Sequence, residues 1–181
     1  MCYNIHMNNI EQHLRQRHVD LNLHRVFIDE INGVATFPLF NLSGQMVGFQ
    51  QYRPGASKER KNDPRAGRYF THRSSHTLAV FGVESLYLNP NILFVTEGIF
   101  DAVRLTEVGA PAIAVLSNNP TADLANFLLC TNRKIIAVCD FDAAGKKLAA
   151  FGDVAVIMDS KDLGDASQET VDNLVKKFMF C

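Results

Sequence analysis

The hydrophobic pattern changes its rhythm at Asn89-Pro90-Asn91. Ahead of that point the apolar stretches are short and irregular. Val34–Phe40 (VATFPLF) and Met46–Tyr52 (MVGFQQY) flank Asn-Leu-Ser-Gly, a spacing that predicts a β-hairpin. Residues Ile10 to Val26 (IEQHLRQRHVDLNLHRV) predict a short helical region. The segment Pro54–Gly67 (PGASKERKNDPRAG) has the composition of an exposed loop. GRYFTH and LAVFG predict short strand or edge pieces that close this first lobe.

After Asn91 the chain alternates regularly. Ile92–Thr96, Ala112–Leu116, Lys134–Cys139 and Val154–Met158 are apolar runs of strand length. Between and after them, Phe100–Val108, Ala122–Cys130, Ala143–Phe151 and Ser167–Phe180 have the pattern of helices. Gly109 and Gly152 are placed to end two of them, and Thr121 stands at an N-cap position. Continuously apolar strands alternating with helices predict a mainly parallel sheet covered on both faces, preceded by a small α+β lobe. The division expected is 1–88 and 89–181.

In such a sheet the loops and helix N-termini converge beyond the carboxyl ends of the strands, and ligands bind there. Three strands run into acids at that end: ILFVTEG reaches Glu97, IIAVCDFD reaches Asp140 and Asp142, and VAVIMDSKDLGD reaches Asp159, Asp162 and Asp165. A single acid after a strand is commonly an N-cap, and Asp142 before Ala143 suits that role. Three loaded strand ends are harder to explain as caps. Carboxylates gathered within about 4–6 Å raise one another's pKa unless a cation neutralises them. An all-oxygen set of this kind suits Mg²⁺ or Mn²⁺, with water and substrate phosphates completing the shell. Asp101, one helical turn after Glu97, is placed to face the same pocket or to serve the helix dipole.

Charge sharpens this picture. The net charge of −1 conceals a basic segment. From Arg53 to Arg73 there are seven Lys/Arg against two acids, a balance of +5, while the remaining 11 bases and 17 acids leave −6. A basic surface beside an acidic body predicts an anionic partner. No apolar run approaches the roughly 20 residues of a spanning helix, and the first residues lack the pattern of a secretory signal. Cys2, Cys130, Cys139 and Cys181 have neither zinc-site nor CxxC spacing. Cys130 and Cys139 are expected to be buried, and a cytoplasmic location is expected.

EGIFDAVRL, DFDAAGKKLA and KDLGD, in that order and on those elements, resemble the Toprim (Rossmann-like) domain shared by bacterial-type primases, topoisomerases and several nucleases. EGIFD is similar to the primases' EGYMD-like motif, DFDAAGKKLA to their D-x-D-x-A-G-x-x-A, and KDLGD to the KDxND/E segment of phage primase–helicases. The likeness extends forward: FPLFNLSGQMVGFQQYR resembles the hairpin ahead of Toprim in primases, and GRYFTH…LAVFGVESL their K-Y-L-N…LYGL stretch. It covers roughly residues 34–170.

The resemblance implies a catalytic Glu97 that also serves the metal, a catalytic and metal-binding pair Asp140 and Asp142, and a further metal ligand, Asp162. Asp101 and Asp165 are additional acids. It implies nucleotide or nucleic-acid contacts at Arg53, Arg68 and His76, the last two standing where primases usually carry Lys; Lys61 in the basic segment is a further candidate by its charge, and Lys146, just after the DxD, suits either phosphate or a plain exposed helix face. Tyr69 and Phe70 are expected to pack a short strand rather than stack bases.

The implied function is metal-dependent synthesis of short RNA primers from NTPs on a single-stranded DNA template. A replicative helicase and a zinc-binding template-recognition protein are expected in trans, since no zinc-ribbon spacing and no GxxxxGK[ST] is present. The alternatives are a Toprim-type nuclease using the same acids and a non-catalytic DNA-binding replication adaptor. A phosphatase of the haloacid dehalogenase type fits less well, because its DxD stands early in the chain and is followed by Thr or Val.

Overall fold

The structure, a computed structural model of the 181-residue chain, describes residues 9–58, 63–74, 78–116, 121–158 and 162–179. The hairpin forms as its pattern predicts. Val34–Phe40 (β2) and Met46–Tyr52 (β3) pair antiparallel, from Ala35 opposite Tyr52 to Phe40 opposite Met46. Their connection is fixed by Asn41, whose side-chain oxygen accepts from the Gln45 amide at 2.9 Å. Phe27–Asp29 (β1) and Tyr69–Arg73 (β4) complete a four-stranded sheet in the order β1-β2-β3-β4. β1 has no sequence signature, because a three-residue edge strand is too short to show a period.

The helix expected over Ile10–Val26 is much shorter. It spans Ile10–Gln16 (α1), starts on an Asn9 cap that accepts from the Gln12 amide, and stops where His18 turns to φ 65°. Beyond it, Asp20 accepts from the amides of Asn22 and Leu23, giving the backbone a turn in place of a helix.

The second half alternates as expected: Ile92–Thr96 (β5), Ile99–Glu107 (α2), Ala112–Ala114 (β6), Ala122–Thr131 (α3), Lys134–Cys139 (β7), Ala143–Ala149 (α4), Val154–Ile157 (β8) and Gln168–Met179 (α5). The four strands are parallel in the order β6-β5-β7-β8. Successive residues of β5 and β7 point to opposite faces and join different cores. Phe94, Ile136 and Val138 pack with α2, α5 and the first lobe, where Leu14, Phe37 and Leu39 are buried in the same cluster. Leu93, Val95, Ile135 and Ala137 pack with Leu124 and Phe127 of α3 and Leu148 of α4. Thr121 occupies the cap position of α3 without a side-chain cap bond. Cys139 is buried as expected, whereas Cys130 is exposed because its position at the end of α3 turns outward.

LAVFG does more than close the first lobe. Val80 bridges to Phe40 of the antiparallel sheet and Phe81 to Ala114 of the parallel one, each through paired backbone bonds of 2.8–3.0 Å. Gly82 then turns at φ +93°, where an added Cβ would lie 2.3 Å from the Ala112 carbonyl oxygen. A 3₁₀ helix, Val83–Leu88, follows. Buried polar groups add to this packing: the His24 ring contacts Glu84 at 2.6 Å and, across to α2, Thr106 at 3.3 Å, while Arg104 of α2 contacts Glu107, Gln168 and the Ala166 carbonyl within the second half. Among the described residues no helix is long and apolar enough to cross a membrane.

Candidate functional site

The two central strands, β5 and β7, are neighbours, so their carboxyl ends deliver Glu97 and Asp140 side by side. Each local turn is tightly specified. After Glu97, Gly98 begins α2, and the Asp101 carboxylate in the first turn takes bonds from the Gly98 amide and, at 2.8 Å, from the Gly164 amide. After Asp140, the chain turns through Phe141 into α4, with the Asp142 side chain accepting from the Gly145 amide at 2.8 Å. Gly145 is dictated by packing, since a Cβ there would meet the Asp140 carbonyl oxygen at 2.0 Å. Asp162 begins a 3₁₀ turn, Leu163–Asp165, and accepts from the Asp165 amide at 3.0 Å.

These turns form one wall of a cleft of about 450 Å³. Glu97, Asp101, Asp140, Asp162 and Asp165 line it together with Arg17, Lys58 and Arg68 of the first lobe. Tyr52 and Tyr69 stack at its base with ring centroids 5.3 Å apart, and Gln50 donates to Thr71 beside them.

The acids are electrostatically unsatisfied. Burial, then the charges of Asp140 and Asp142, push Glu97 from its ordinary 4.5 up to about 7, against a stabilising bond from the Asp140 amide. Its Oε1 is buried without a partner among the described residues. Asp101, only 9% exposed, is pushed from 3.8 to about 7, first by burial and then by Asp162 and Asp140. Asp140 is raised by burial and by Asp162 and Asp142. The same environment pushes the Cys139 thiol up to about 11.

Of the seven acids named from the sequence, Asp159 lies outside the described residues, and Glu97, Asp101, Asp140, Asp162 and Asp165 line one cleft. Asp142 does not line it: the side chain is exposed and spent on the α4 cap, though its charge still acts on Glu97 and Asp140. The basic residues divide more widely. Arg68 reaches the cleft with its Nε bonded to the Ala56 carbonyl at 3.0 Å. Arg53 lines two other surface hollows and donates to Gln51. Lys146 is exposed in the last turn of α4. Lys61 and His76 lie outside the described residues. Arg73 donates to the Val115 and Leu116 carbonyls and so ties β4 to the loop after β6. Phe70 packs edge-on against Phe49, both half-buried and outside the two cores, while Tyr69 faces the cleft. Sequence reasoning missed Arg17, because nothing in the local pattern of a seven-residue helix shows that the residue after it reaches Asp165, 148 positions away.

The donor set fits a hard divalent cation. It is all oxygen, it holds an orphaned buried Glu97 oxygen, and burial together with mutual repulsion holds three carboxyls above their ordinary range. Yet among the described residues no three His, Cys, Asp or Glu are gathered closely enough to form a ready-made cage. That combination matches the habit of Mg²⁺, which takes one or two carboxylates and completes its shell with water and phosphates.

Comparison with known proteins agrees with this geometry. Residues 94–173, which include most of the second half's strands and all its cleft acids, match the Toprim-like family. The chain as a whole resembles a primase catalytic core. The DNA primase of Thermotoga maritima is 28% identical over 121 residues, and that of Escherichia coli K12 is 28% identical over 123. These stretches cover 66% and 67% of this chain and 21% of either primase, so the chain spans about a fifth of the length of the curated relatives it matches. The solved DnaG catalytic core superposes with a TM-score of 0.66 at 17% identity, over 94% of this chain and 69% of that one, a likeness of fold.

Proposed function

We propose that the chain is the core of a primase-type nucleotidyltransferase that makes short RNA primers on single-stranded DNA. In this reading residues 1–88 are a basic lobe that holds template and nucleotide, and residues 89–181 carry the chemistry. The observation that carries it is one cleft lined both by Glu97 and Asp140 of the second half and by Arg17, Lys58 and Arg68 of the first lobe. A nuclease needs the acids but has less use for a second lobe of cations in the same cleft.

Glu97, Asp140 and Asp162 are the residues that would hold a divalent cation, with Asp142 acting through its charge or as a further ligand. When bound, the cation would supply neutralisation of triphosphate charge and a lowered barrier to ionising the attacking hydroxyl. The remaining work belongs to side chains. In this reading Glu97 also takes the proton of the primer 3′-hydroxyl. The hydroxyl oxygen bonds to the α-phosphorus as the bond to pyrophosphate breaks. Arg68 and Lys58 hold phosphate, contacts that carry no sequence information and weaken with salt. Arg53 and Lys146 lie off the cleft and suit template backbone rather than the triphosphate.

The test is synthesis from labelled NTPs on a single-stranded template with Mg²⁺ or Mn²⁺, run beside cleavage of labelled DNA. RNA product that disappears in Asp140→Ala supports the proposal. Cleavage without synthesis would replace it with the nuclease.

A further inference from the structure

Arg17 is the C-terminal cap residue of α1, yet its guanidinium lies in the acidic cleft. It is held there on every side. Its plane rests over the Phe100 ring, 3.8 Å from the centroid, and it bonds to the hydroxyls of Tyr52 and Tyr69. Tyr52 is itself held by the His13 ring at 2.9 Å. Gly164 leaves room for this approach, because a Cβ there would come within 3.2 Å of Arg17 Nη2 and 3.0 Å of Phe100 Cβ.

The ionic partner of this well-anchored cation is poor by comparison. Asp165 contacts Arg17 Nη2 at 3.2 Å with its side chain 66% exposed, whereas that of Arg17 is 22% exposed. Exposed pairs of this kind are worth at most about 1 kcal/mol. A guanidinium already fixed by an aromatic face and two hydroxyls offers its fork at little further entropic cost, and phosphate matches that fork bidentately. The turn that carries Asp165 also carries Asp162 and the Gly164 amide that holds Asp101. A phosphate arriving at Arg17 therefore lies next to the acids.

We infer that Arg17 is the phosphate seat of the cleft, exchanging Asp165 for the polyphosphate of the incoming nucleotide. The inference rests on the nucleotidyl-transfer reading and adds to it a residue from the N-terminal helix. Asp165 is then a place-holder that competes with substrate, not a ligand. Lys58 and Arg68 assist, but Arg68 has already committed its Nε to the Ala56 carbonyl.

The experiment is calorimetric titration of the full chain with tripolyphosphate and with GTP, both with magnesium, for wild type, Arg17→Lys, Arg17→Ala and Asp165→Asn, with melting curves alongside. Arg17→Ala is expected to weaken both probes about tenfold or more, the scale of a lost bond to a charged group. Arg17→Lys keeps the charge without the fork and is expected to fall between. Asp165→Asn removes the competitor and is expected to bind both probes several-fold more tightly, an outcome that no general loss of folding produces. In primer synthesis the Arg17 variants raise KM for NTP more than they lower kcat. Wild type that fails to bind tripolyphosphate, or Arg17→Lys and Asp165→Asn that bind it as wild type does, overturns the inference. Binding that behaves as described without any synthesis leaves Arg17 as the phosphate seat and removes the polymerase reading instead.

Discussion

Glu97 holds the cleft's orphaned carboxylate oxygen, and its chemistry makes a two-sided prediction. Glu97→Gln keeps the shape and removes a charge that repels Asp140 and Asp142. Metal-free protein carrying it is expected to melt higher than wild type at pH 8 and equally at pH 5, while primer synthesis falls about 10²-fold or more, the scale of a lost general base. Asp142 separates in another way. Asn is as good an N-cap as Asp, so metal-free Asp142→Asn, which also loses a charge that repels Glu97 and Asp140, is expected to melt no lower than wild type, whereas Asp142→Ala gives up a cap worth about 1 kcal/mol. Synthesis lost in both variants assigns the charge of Asp142 to the chemistry; synthesis retained in Asp142→Asn reduces it to a cap. Sequence spacing shows that Asp142 suits both roles. The choice depends on where its oxygens point, which only the folded turn determines.

The elements that carry the site are short and closely fitted. Seven-residue α4 seats its first turn on the backbone of Asp140 through Gly145, with no room for a methyl group. Gly145→Ala is therefore expected to lower stability by roughly 1–3 kcal/mol in denaturant titration, as overpacking does, and to disturb Asp140 with it. Much at this scale is legible in sequence. ILFVT and KIIAVC are continuous apolar runs that only a doubly covered strand explains, and the acids follow them at once. The hairpin flanking Asn-Leu-Ser-Gly is equally clear. What escapes are pieces whose form comes from partners: β1, which exists as an edge of β2; the truncated α1, cut off by the turn at Asp20; and Val80-Phe81, which splices two sheets.

At the scale of the whole molecule the site is a junction. Its acids belong to a parallel sheet and its cations to an antiparallel lobe, and a shared core holds the two in register. A local reading identifies both charge sets. Which cations line the cleft with the acids is decided by packing between residues far apart in the chain, so Arg17, to which the sequence assigns no role, stands in the cleft and Arg53 lies off it.

The junction also sets a pH response. Glu97 and Asp101 have folded-state pKa values of about 7, above their ordinary 4.5 and 3.8, so the folded protein binds more protons than the unfolded chain between those limits. The stability they contribute is full below about pH 4 and is lost as pH rises through 7. The melting temperature of metal-free protein is expected to fall between pH 5 and pH 7.5, and magnesium to raise it more at 7.5 than at 5. A rising or flat profile would contradict the cleft's electrostatics.

The most direct measurement of the central claim is primer synthesis by the purified chain on single-stranded DNA with Mg²⁺ or Mn²⁺, comparing wild type with Asp140→Ala at matched melting temperature. The account predicts short RNA products from wild type and a loss of about 10³-fold or more in the variant, as when a group stabilising transition-state charge is removed. Absence of product from wild type, or product that survives Asp140→Ala, would contradict it.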